Sequence, residues 1–432
     1  MYTKIAVGVT SFFLLLLLSS SRSSAGGYAI RHQTAKGLAL SGAMTAGVND
    51  PSAVYYNPAA LSEVEGNRLL ISGSYINVIS SVENSGRKAV NKHDDNFLAT
   101  LFANYHIPGT DFTLGLGTYV PFGLATTYER DFTRFAALRS ELRTLYITPA
   151  VSWHPSKVFS LGAGLSFVHS SALLSRSLCF DAIVGCVAPG GLLEAKIRIT
   201  DTANAFTYNL GGLLKPNDRV KLGFSYRGRA DLRFDSANVK FGGALSTPTT
   251  RADVRPVPLP PVIDVGVFWQ INPSWGIEFV YEYTRWSEFK TVKATFSPVP
   301  TFIPLGVPLS SFSLPEDWKN TSTLRLGSFY RLNEKFELRG GITVEETPIP
   351  AKTLNPAIPG ADLLTLNAGI GYKWDKVTVD LGYMAVFYKK RKISSLELEG
   401  IPATGIPFLG APGKDKYQTF NNFISITLGY RF

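Results

Sequence analysis

Histidine side chains are the groups of this chain that could carry catalysis, and they are sparse. The 432-residue sequence contains five histidines. One of them, in the run His169-Ser170-Ser171, lies near a predicted outer strand end, where it could support hydrolysis of a lipid or peptide bond. No histidine, nucleophile and carboxylate stand at a catalytic spacing. The sequence therefore predicts no enzyme, and an outer-membrane lipid hydrolase is kept as an alternative.

The two cysteines, Cys179 and Cys186, are the other reactive side chains. They lie close together in the sequence, and in an oxidising compartment such a pair can form a local disulfide. No histidine lies within the local spacing that a zinc site uses. The sequence predicts a disulfide here, and it predicts no metal site, nucleotide site or other cofactor.

The strands that would position these residues are clearest at the end of the chain. Between Gln418 and Phe432, every second side chain is mostly apolar or aromatic, and the residues between them are mostly small or polar. Since successive side chains of a strand point to opposite faces, one face is apolar and the other is wet. A transmembrane β-barrel repeats this pattern, because one face meets lipid and the other meets the lumen.

The same alternation recurs along the chain, for example in Val220–Phe234, Trp275–Tyr283 and Lys335–Glu345. Short turns rich in proline, asparagine and aspartate separate the alternating segments. The pattern predicts an all-β transmembrane protein, an antiparallel barrel of fourteen strands. The predicted strands cover residues 67–82, 96–106, 112–125, 139–153, 158–173, 195–214, 219–234, 261–271, 275–292, 317–332, 335–348, 362–374, 377–392 and 417–432.

The one long apolar run stands at the start of the chain. Lys4 precedes Ile5–Leu18, and Ser23-Ser24-Ala25 follows. This order is typical of a secretory signal peptide, here residues 1–25, and the run is short for a membrane-spanning helix. A membrane-embedded mature chain must then be a closed barrel, since open sheet edges are not tolerated in lipid. Export to the outer membrane of a Gram-negative bacterium is expected.

The charge distribution excludes one class of partner. The net charge of +10 is spread thinly along the chain. No basic cluster with interleaved aromatic residues is present, so nucleic acid is not an expected partner. The charges of the lumen and loops are expected to face water and lipopolysaccharide, and outer-membrane lipid is the expected surrounding of the barrel. We expect a monomer.

The segment from Gly26 to Gly66 lacks alternation and is rich in small residues, most of all between Gly37 and Gly47. Small residues allow short helices and turns to pack tightly. Residues 26–66 are therefore predicted to form a plug, or hatch, inside a barrel of residues 67–432. The alternative is a flexible periplasmic tail.

Four predicted external loops are apolar and rich in proline: Val187–Leu193, Pro256–Val262, Thr295–Pro315 and Ile401–Gly413. Exposed apolar surface usually marks a binding site, and proline limits the entropy that such loops lose on packing. The loops favour capture of an apolar ligand; the alternative is loops that pack on one another. A porin for polar solutes would instead carry polar groups at its mouth.

The sequence resembles the FadL/TodX family of outer-membrane transporters for hydrophobic compounds. Each matching segment is short, and the order and spacing of the segments carry the resemblance over nearly the whole mature chain. The matching segments are Gly37–Gly47, Asn49–Leu61 with its Asn57-Pro58-Ala59 motif, Tyr119–Leu124, Ile147–Val151, Leu161–Leu165, Pro260-Pro261, Thr284–Phe289, Leu338–Gly341, Pro348–Pro350 and Tyr430–Phe432.

The resemblance implies a fourteen-stranded barrel with an amino-terminal hatch, which agrees with the strand count. It also implies uptake of long-chain fatty acids or, in some branches, of aromatic hydrocarbons. External loops would capture the ligand, a lumen site beside the hatch would receive it, and movement of the hatch would open a lateral exit at a kinked third strand.

The local residues allow such a kink and such a site. Gly115, Gly117, Pro121 and Gly123 lie in the third predicted strand, where proline removes a ladder donor and glycine permits a bend. An ordinary strand end at Pro121 is the alternative. Tyr28 matches the aromatic residue that the family places in its ligand site.

A fatty acid would also need a partner for its carboxylate, and arginine can hold one with two parallel hydrogen bonds. The arginines of lumen parity are Arg227, Arg229 and Arg339. Lumen arginines also pair with acidic residues, and a neutral hydrocarbon would need none of them. The resemblance therefore makes long-chain fatty acids the expected ligand, and aromatic hydrocarbons or alkanes are the alternative.

Overall fold

Antiparallel strands joined edge to edge form the wall of the protein, as the alternating side chains predict. The computed structural model describes residues 27–84, 86–92, 96–129, 132–179, 194–243, 249–302, 306–393 and 416–432. The predicted signal peptide, Cys186, the side chain of Cys179 and the loops Val187–Leu193 and Ile401–Gly413 lie outside these residues. Within them, no helix is long and apolar enough to cross a membrane.

The strands of the described part are numbered in chain order. They are β1 (Arg68–Asn84), β2 (Arg87–Val90), β3 (Asn96–His106), β4 (Phe112–Tyr119), β5 (Gly123–Thr127), β6 (Arg139–Trp153), β7 (Phe159–Cys179), β8 (Glu194–Asn217), β9 (Val220–Arg227), β10 (Ala230–Gly243), β11 (Thr250–Leu259), β12 (Val262–Asn272), β13 (Trp275–Thr284), β14 (Thr291–Ser297), β15 (Thr301–Phe302), β16 (Val307–Pro308), β17 (Ser311–Pro315), β18 (Thr321–Arg331), β19 (Phe336–Glu345), β20 (Leu363–Trp374), β21 (Val377–Tyr388), β22 (Arg391–Lys392) and β23 (Lys416–Arg431).

The barrel closes between its first and last strands. β1 pairs antiparallel with β23 over a continuous register from Arg68↔Arg431 to Glu83↔Lys416. On β23, Ile426 and Leu428 are exposed on the outside, whereas Thr427 between them is buried on the inside. The predicted antiparallel barrel of fourteen crossings is thus confirmed, and so is the predicted parity of its last strand.

Five of the fourteen crossings are each divided between two strands. The third crossing consists of β4 and β5, and the seventh to tenth consist of β9–β10, β11–β12, β13–β14 and β17–β18. In the seventh to tenth, the outer halves β10, β11, β14 and β17 pair with one another beyond the membrane-crossing halves. The segments predicted as loops at Pro256–Val262 and Thr295–Pro315 therefore lie partly within strands. The alternation of Val220–Phe234 does continue from β9 into β10, but its apolar side chains change faces: Leu222 and Phe224 of β9 are exposed on the outside, whereas Leu232 and Phe234 of β10 are buried.

The hatch fills the lumen with short helices and turns. It contains α1 (Ala35–Ala39), α2 (Ala53–Tyr56) and a 3-10 helix (Pro58–Glu63). The Thr34 hydroxyl caps α1 by accepting a hydrogen bond from the Gly37 amide. Gly66, with a φ of 69°, lies at the joint between the hatch and β1, where a left-handed backbone favours glycine.

Candidate ligand-binding site

The first residues of the hatch lie in a break of the barrel wall. The third crossing is interrupted between β4 and β5. Ala29 forms an antiparallel bridge with Phe122 in this break, and the Ile30 amide donates to the Pro121 carbonyl at 2.8 Å. The hatch thus supplies pairing for a stretch of wall that has left its neighbouring strand.

The side chain of Gln33 completes this pairing. Its Oε1 accepts from the Val120 amide at 3.0 Å, and its Nε2 donates to the Val120 carbonyl at 3.0 Å and to the Ile30 carbonyl at 2.7 Å. The Gly123 amide donates to the Tyr28 carbonyl at 2.9 Å. Gln33 therefore satisfies both backbone groups of Val120, as a neighbouring strand would.

Tyr28 anchors the amino-terminal end of the hatch through its ring. Its ring centroid lies 5.0 Å from that of Trp286 and 5.6 Å from that of Trp318, and its hydroxyl donates to the Pro258 carbonyl at 3.0 Å. Such aromatic pairs stabilise by about 0.5–1.5 kcal/mol each beyond the burial of their area. The rings that surround Tyr28 are Phe122, Trp286, Phe289 and Trp318.

An apolar cavity of about 150 Å³ lies beside Tyr28. It is lined by side chains from the barrel wall, from the outer strand halves and from the segment after β19. The apolar lining residues are Leu124, Leu142, Ala172, Leu173, Leu174, Ile199, Phe234, Ala237, Val254, Val257, Phe289, Val292, Ala294, Phe312, Leu314, Ala357 and Ile358. A cavity with this lining suits an apolar ligand.

The charged residues that line the cavity are all acidic: Glu141, Asp201 and Glu316. Glu141 pairs with Arg139, whose Nε donates to its Oε1 at 2.7 Å. Glu316 is 5% exposed. Its burial, and to a smaller extent the neighbouring Asp317, raise the pKa of the Glu316 carboxyl to about 8. An acid in such surroundings is largely uncharged at neutral pH.

The three arginines of lumen parity do not line this cavity. Each is held by acidic or carbonyl oxygens of the barrel and hatch. Their partners are Asp264 and the Tyr55 carbonyl for Arg227, Asp231 and Glu288 for Arg229, and Glu337 and Asp380 for Arg339. The structure therefore brings Tyr28 to the cavity and leaves Arg227, Arg229 and Arg339 in ion pairs elsewhere.

The four residues expected at the kink have two different surroundings. Pro121 lies in the break, and Gly123 begins the strand that follows it. Gly115 and Gly117 lie within β4, where the strand is paired on both sides. A Cβ on Gly115 would lie 2.6 Å from Val54 Cγ2 of the hatch, and one on Gly117 would lie 3.0 Å from Val54 Cγ1. These two glycines give room to the hatch.

The Asn57-Pro58-Ala59 motif joins the hatch to the wall strands β6 and β8. The Asn57 side chain donates to the Gly212 carbonyl of β8 at 3.1 Å and to the Thr45 carbonyl of the hatch at 2.7 Å. The Ser152 hydroxyl of β6 donates to the Ala59 carbonyl at 2.8 Å. A Cβ on Gly211 would overlap Asn57 Oδ1, so glycine permits this close approach.

The remaining candidates of the sequence lie away from the cavity. His169 Nδ1 is 2.8 Å from Asn204 Oδ1 on an exposed surface. The predicted pair Cys179–Cys186 falls outside the described residues. Within the described ranges, no group of three or more histidine, cysteine or acidic residues is placed to hold a metal ion.

Sequence reasoning missed Gln33, Trp286, Trp318 and Glu316. Both tryptophans fall within predicted strands, 275–292 and 317–332, and the strand pattern gave them no role in a ligand site. Glu316 directly follows the apolar run Thr295–Pro315. The pair of carboxyl groups Glu316 and Asp317 at the end of this run was the available signal.

Comparison with known proteins places this geometry among related chains. A family described as outer membrane protein transport protein (OMPP1/FadL/TodX) matches residues 16–411. Outer membrane protein P1 of Haemophilus influenzae is 22% identical over 95% of this chain and 96% of its own length. The long-chain fatty acid transport protein of Escherichia coli is 23% identical over 80% of this chain and 84% of its own length.

Two solved structures have a similar fold. A FadL homologue from Pseudomonas aeruginosa superposes with a TM-score of 0.80 at 20% identity, covering 94% of this chain and 100% of that one. The toluene transporter TodX of Pseudomonas putida gives a TM-score of 0.71 at 17% identity, covering 95% of this chain and 99% of that one.

Proposed function

The chain belongs to the OMPP1/FadL/TodX family of outer membrane transport proteins, and on that premise we propose that it takes up small neutral hydrophobic molecules through the apolar cavity beside Tyr28. The observation that carries this proposal is the cavity itself. Apolar side chains form nearly all of its lining, and Tyr28 of the hatch closes one side of it. A ligand in this cavity would contact Tyr28, which belongs to the part of the hatch that lies in the wall break.

The neutral class is favoured over long-chain fatty acids, which the sequence alone had placed first. A cavity of about 150 Å³ is of the size that holds a benzene-sized guest in a protein interior. Its charged lining residues are acidic, and burying a carboxylate without a cation is costly. Aromatic hydrocarbons and short alkanes fit both properties. A toluene transporter of the same fold is consistent with this choice.

Long-chain fatty acids remain a second candidate because of two arginines near the cavity rim. Arg139 and Arg143 both approach Glu141, and Arg143 Nη2 lies 3.9 Å from Glu141 Oε2. A ligand carboxylate that replaced Glu141 would gain these partners, while its chain entered the cavity. The E. coli relative, which bears the name long-chain fatty acid transport protein, supports keeping this candidate.

The route that we propose runs from the external loops to the cavity and then sideways into the membrane. The ligand enters between the outer strand halves and displaces Tyr28 from its aromatic neighbours. The hatch segment Tyr28–Gln33 then leaves the break, and the ligand exits between the interrupted third crossing and its neighbour. This route rests on the pairing of Ala29 with Phe122 and on the hydrogen bonds of Gln33 with Val120.

Filling the cavity tests the proposal. Ala172 lines the cavity, and Ala163 on the same strand is exposed on the outer face. Ala172→Phe is expected to lower toluene binding and uptake at least tenfold, whereas Ala163→Phe leaves both unchanged. Binding is measured on purified protein, and uptake in cells that lack other hydrocarbon channels. Unchanged toluene binding in a correctly folded Ala172→Phe variant would exclude this cavity as the ligand site.

The route has its own test. Deleting Gly26–Tyr28 is expected to impair uptake while the barrel stays heat-stable in detergent. A valine at Gly123 would press on Ile30, since a Cβ there lies 2.9 Å from Ile30 Cδ1, and it should also slow uptake. Normal uptake by both variants would argue against gating by the hatch.

A further inference from the structure

One carboxyl group is held rigidly at the edge of the apolar cavity. Glu316 Oε2 accepts from Trp318 Nε1 at 2.8 Å. Its backbone amide donates to the Lys290 carbonyl at 2.7 Å, and its carbonyl accepts from the Thr353 hydroxyl at 2.6 Å. These bonds fix the backbone and one oxygen of Glu316 and leave the other oxygen, Oε1, for a further partner.

Glu316 has no ion-pair partner within the described ranges. The neighbouring Asp317 pairs with Lys352 at 2.9 Å, so that lysine is engaged away from Glu316. Of the other acids on the cavity wall, Glu141 is paired with Arg139. Glu316 is therefore a carboxyl group in apolar surroundings without a compensating cation among the described residues. Burial of such a group is disfavoured unless it is hydrogen-bonded.

Two other polar groups of the cavity wall also lack partners in the described part of the chain. Ser140 Oγ and Asp201 Oδ2 are buried and form no hydrogen bond there, and both residues line the cavity. Together with Glu316 Oε1, these are polar atoms of the cavity wall that have no hydrogen-bond partner in the described part, and all three are oxygens. Oxygen acceptors that are buried without a donor cost roughly 1–3 kcal/mol each. A ligand that brings an O–H group would offset part of that cost.

We propose that Glu316 is a specificity-determining residue that binds the hydroxyl group of a neutral hydrophobic ligand, such as a phenol or a short alcohol. This inference rests on the proposed function of the cavity and names the ligand class that it prefers. The ligand hydroxyl pairs with Glu316 Oε1, accepting from it while the carboxyl is protonated and donating to it when the carboxyl is ionised, and the hydrocarbon part of the ligand fills the apolar space. A carboxylate ligand is disfavoured, since it would add a negative charge to a wall that carries only acids.

Ligands of one shape and different polar groups test the proposal: p-cresol, toluene, p-toluate and 4-methylbenzylamine. Their affinities are measured on the purified full barrel in detergent by quenching of tryptophan fluorescence, since Trp286 and Trp318 lie beside Tyr28, and by calorimetry. The wild type should bind p-cresol best and p-toluate at least tenfold more weakly than toluene. The ratio of cresol to toluene affinity is then compared between variants, which removes the intrinsic difference in hydrophobicity.

Glu316→Leu is expected to lower this ratio about fivefold, the value of one net hydrogen bond. Glu316→Gln, which can still accept and donate, should keep it within about twofold. Asp317→Asn, next in the chain and half exposed, is the matched control and should leave it unchanged. Migration of the unheated barrel on gels verifies that each variant is folded.

An unchanged ratio in Glu316→Leu would overturn the proposal, and so would tighter binding of p-toluate or 4-methylbenzylamine than of p-cresol by the wild type. Failure of the proposed function looks different. In that case toluene itself does not bind, or Ala172→Phe does not affect its binding. If Ala172→Phe abolishes toluene binding but p-cresol binds no better than toluene, only the role of Glu316 is refuted.

Discussion

Arg31 of the hatch and Glu282 of the barrel wall form an ion pair, with 2.7 Å between Nη2 and Oε1, and both side chains are almost fully buried. Arg325 of β18 shares the same acid, with 2.9 Å between its Nη1 and Glu282 Oε2. One wall carboxylate therefore holds one arginine of the hatch and one of the wall. The ion pair attaches the hatch, which moves in the proposed route, to the barrel wall. Arg31 lies only two residues from Ala29 in the break.

Glu282→Gln should weaken this attachment strongly, because it leaves two buried guanidinium groups without their shared acid. Removing one partner of a buried ion pair typically costs about 3–5 kcal/mol. The measurement is the urea concentration at half unfolding of the barrel, together with hydrogen exchange of the hatch amides. Glu83→Gln, which breaks the exposed Lys416–Glu83 pair at the barrel rim, is the control. Its expected change is below about 1 kcal/mol, and an equal effect of both variants would contradict the assignment.

Gln33→Leu should open the wall break without unfolding the barrel. The substitution removes the partners of the Val120 amide and carbonyl, at roughly 1–3 kcal/mol for each buried group left unpaired. We expect faster hydrogen exchange at Val120 and a higher rate of toluene uptake, since the hatch would leave the break more easily. Gln270→Leu is the matched control, because the Gln270 side chain donates to the Asn272 and Trp275 carbonyls of an exposed turn. Protection of Val120 equal to that of the wild type would refute the role of Gln33.

Adjacent glycines on β8 should respond differently to the same substitution. A Cβ on Gly211 would overlap Asn57 Oδ1, whereas a Cβ on Gly212 meets no atom within 4 Å. Gly211→Ala is therefore expected to lower stability by about 1–3 kcal/mol through overpacking, and Gly212→Ala should change it by less than about 0.5 kcal/mol. Chemical denaturation and the leak of small ions through single channels are the readouts. A silent Gly211→Ala would show that the hatch can move away from β8 at little cost.

Toluene binding should depend on pH through Glu316. The titratable groups that interact with its carboxyl are Tyr28 and Asp317, and the other acids of the cavity wall are Glu141 and Asp201. The carboxyl, with a pKa of about 8, is largely neutral below that pH. Above it, toluene would displace water from a carboxylate and offer no hydrogen bond in return. Toluene affinity should therefore fall above pH 8, and the affinity of p-cresol should fall less.

The same carboxyl should influence folding in the opposite sense from an ordinary paired acid. Its pKa rises from 4.5 in an exposed chain to about 8 in the folded protein, so the folded state holds a proton that the unfolded chain releases between these values. The stability contributed by Glu316 is complete below pH 4.5 and declines as the pH rises to 8. Urea titrations of the wild type and Glu316→Gln across this range measure the difference. Parallel pH profiles of the two proteins would refute the raised pKa.

The sequence by itself determined the architecture, because lipid and lumen impose opposite demands on alternate residues. The parity of Ile424, Ile426 and Leu428 predicted the outer face of the last strand, and short turns set the count of fourteen. The order of short motifs such as Asn57-Pro58-Ala59 indicated the family. These signals are local, since each depends on neighbours along the chain.

The site was decided only by tertiary structure, because its parts come from distant segments. Nothing near Gln33 in the sequence predicts that its amide pairs with Val120, or that Arg31 meets Glu282. Parity placed Arg227, Arg229 and Arg339 toward the lumen, but which acid each of them faces depends on the stagger of the strands and on the hatch between them. Glu316 likewise became a candidate once the fold surrounded it with apolar side chains and left its carboxyl without a cation among the described residues. The face of a strand to which a side chain points follows from the two-residue period of the backbone. The residue that this side chain contacts depends on how the whole barrel closes around the hatch.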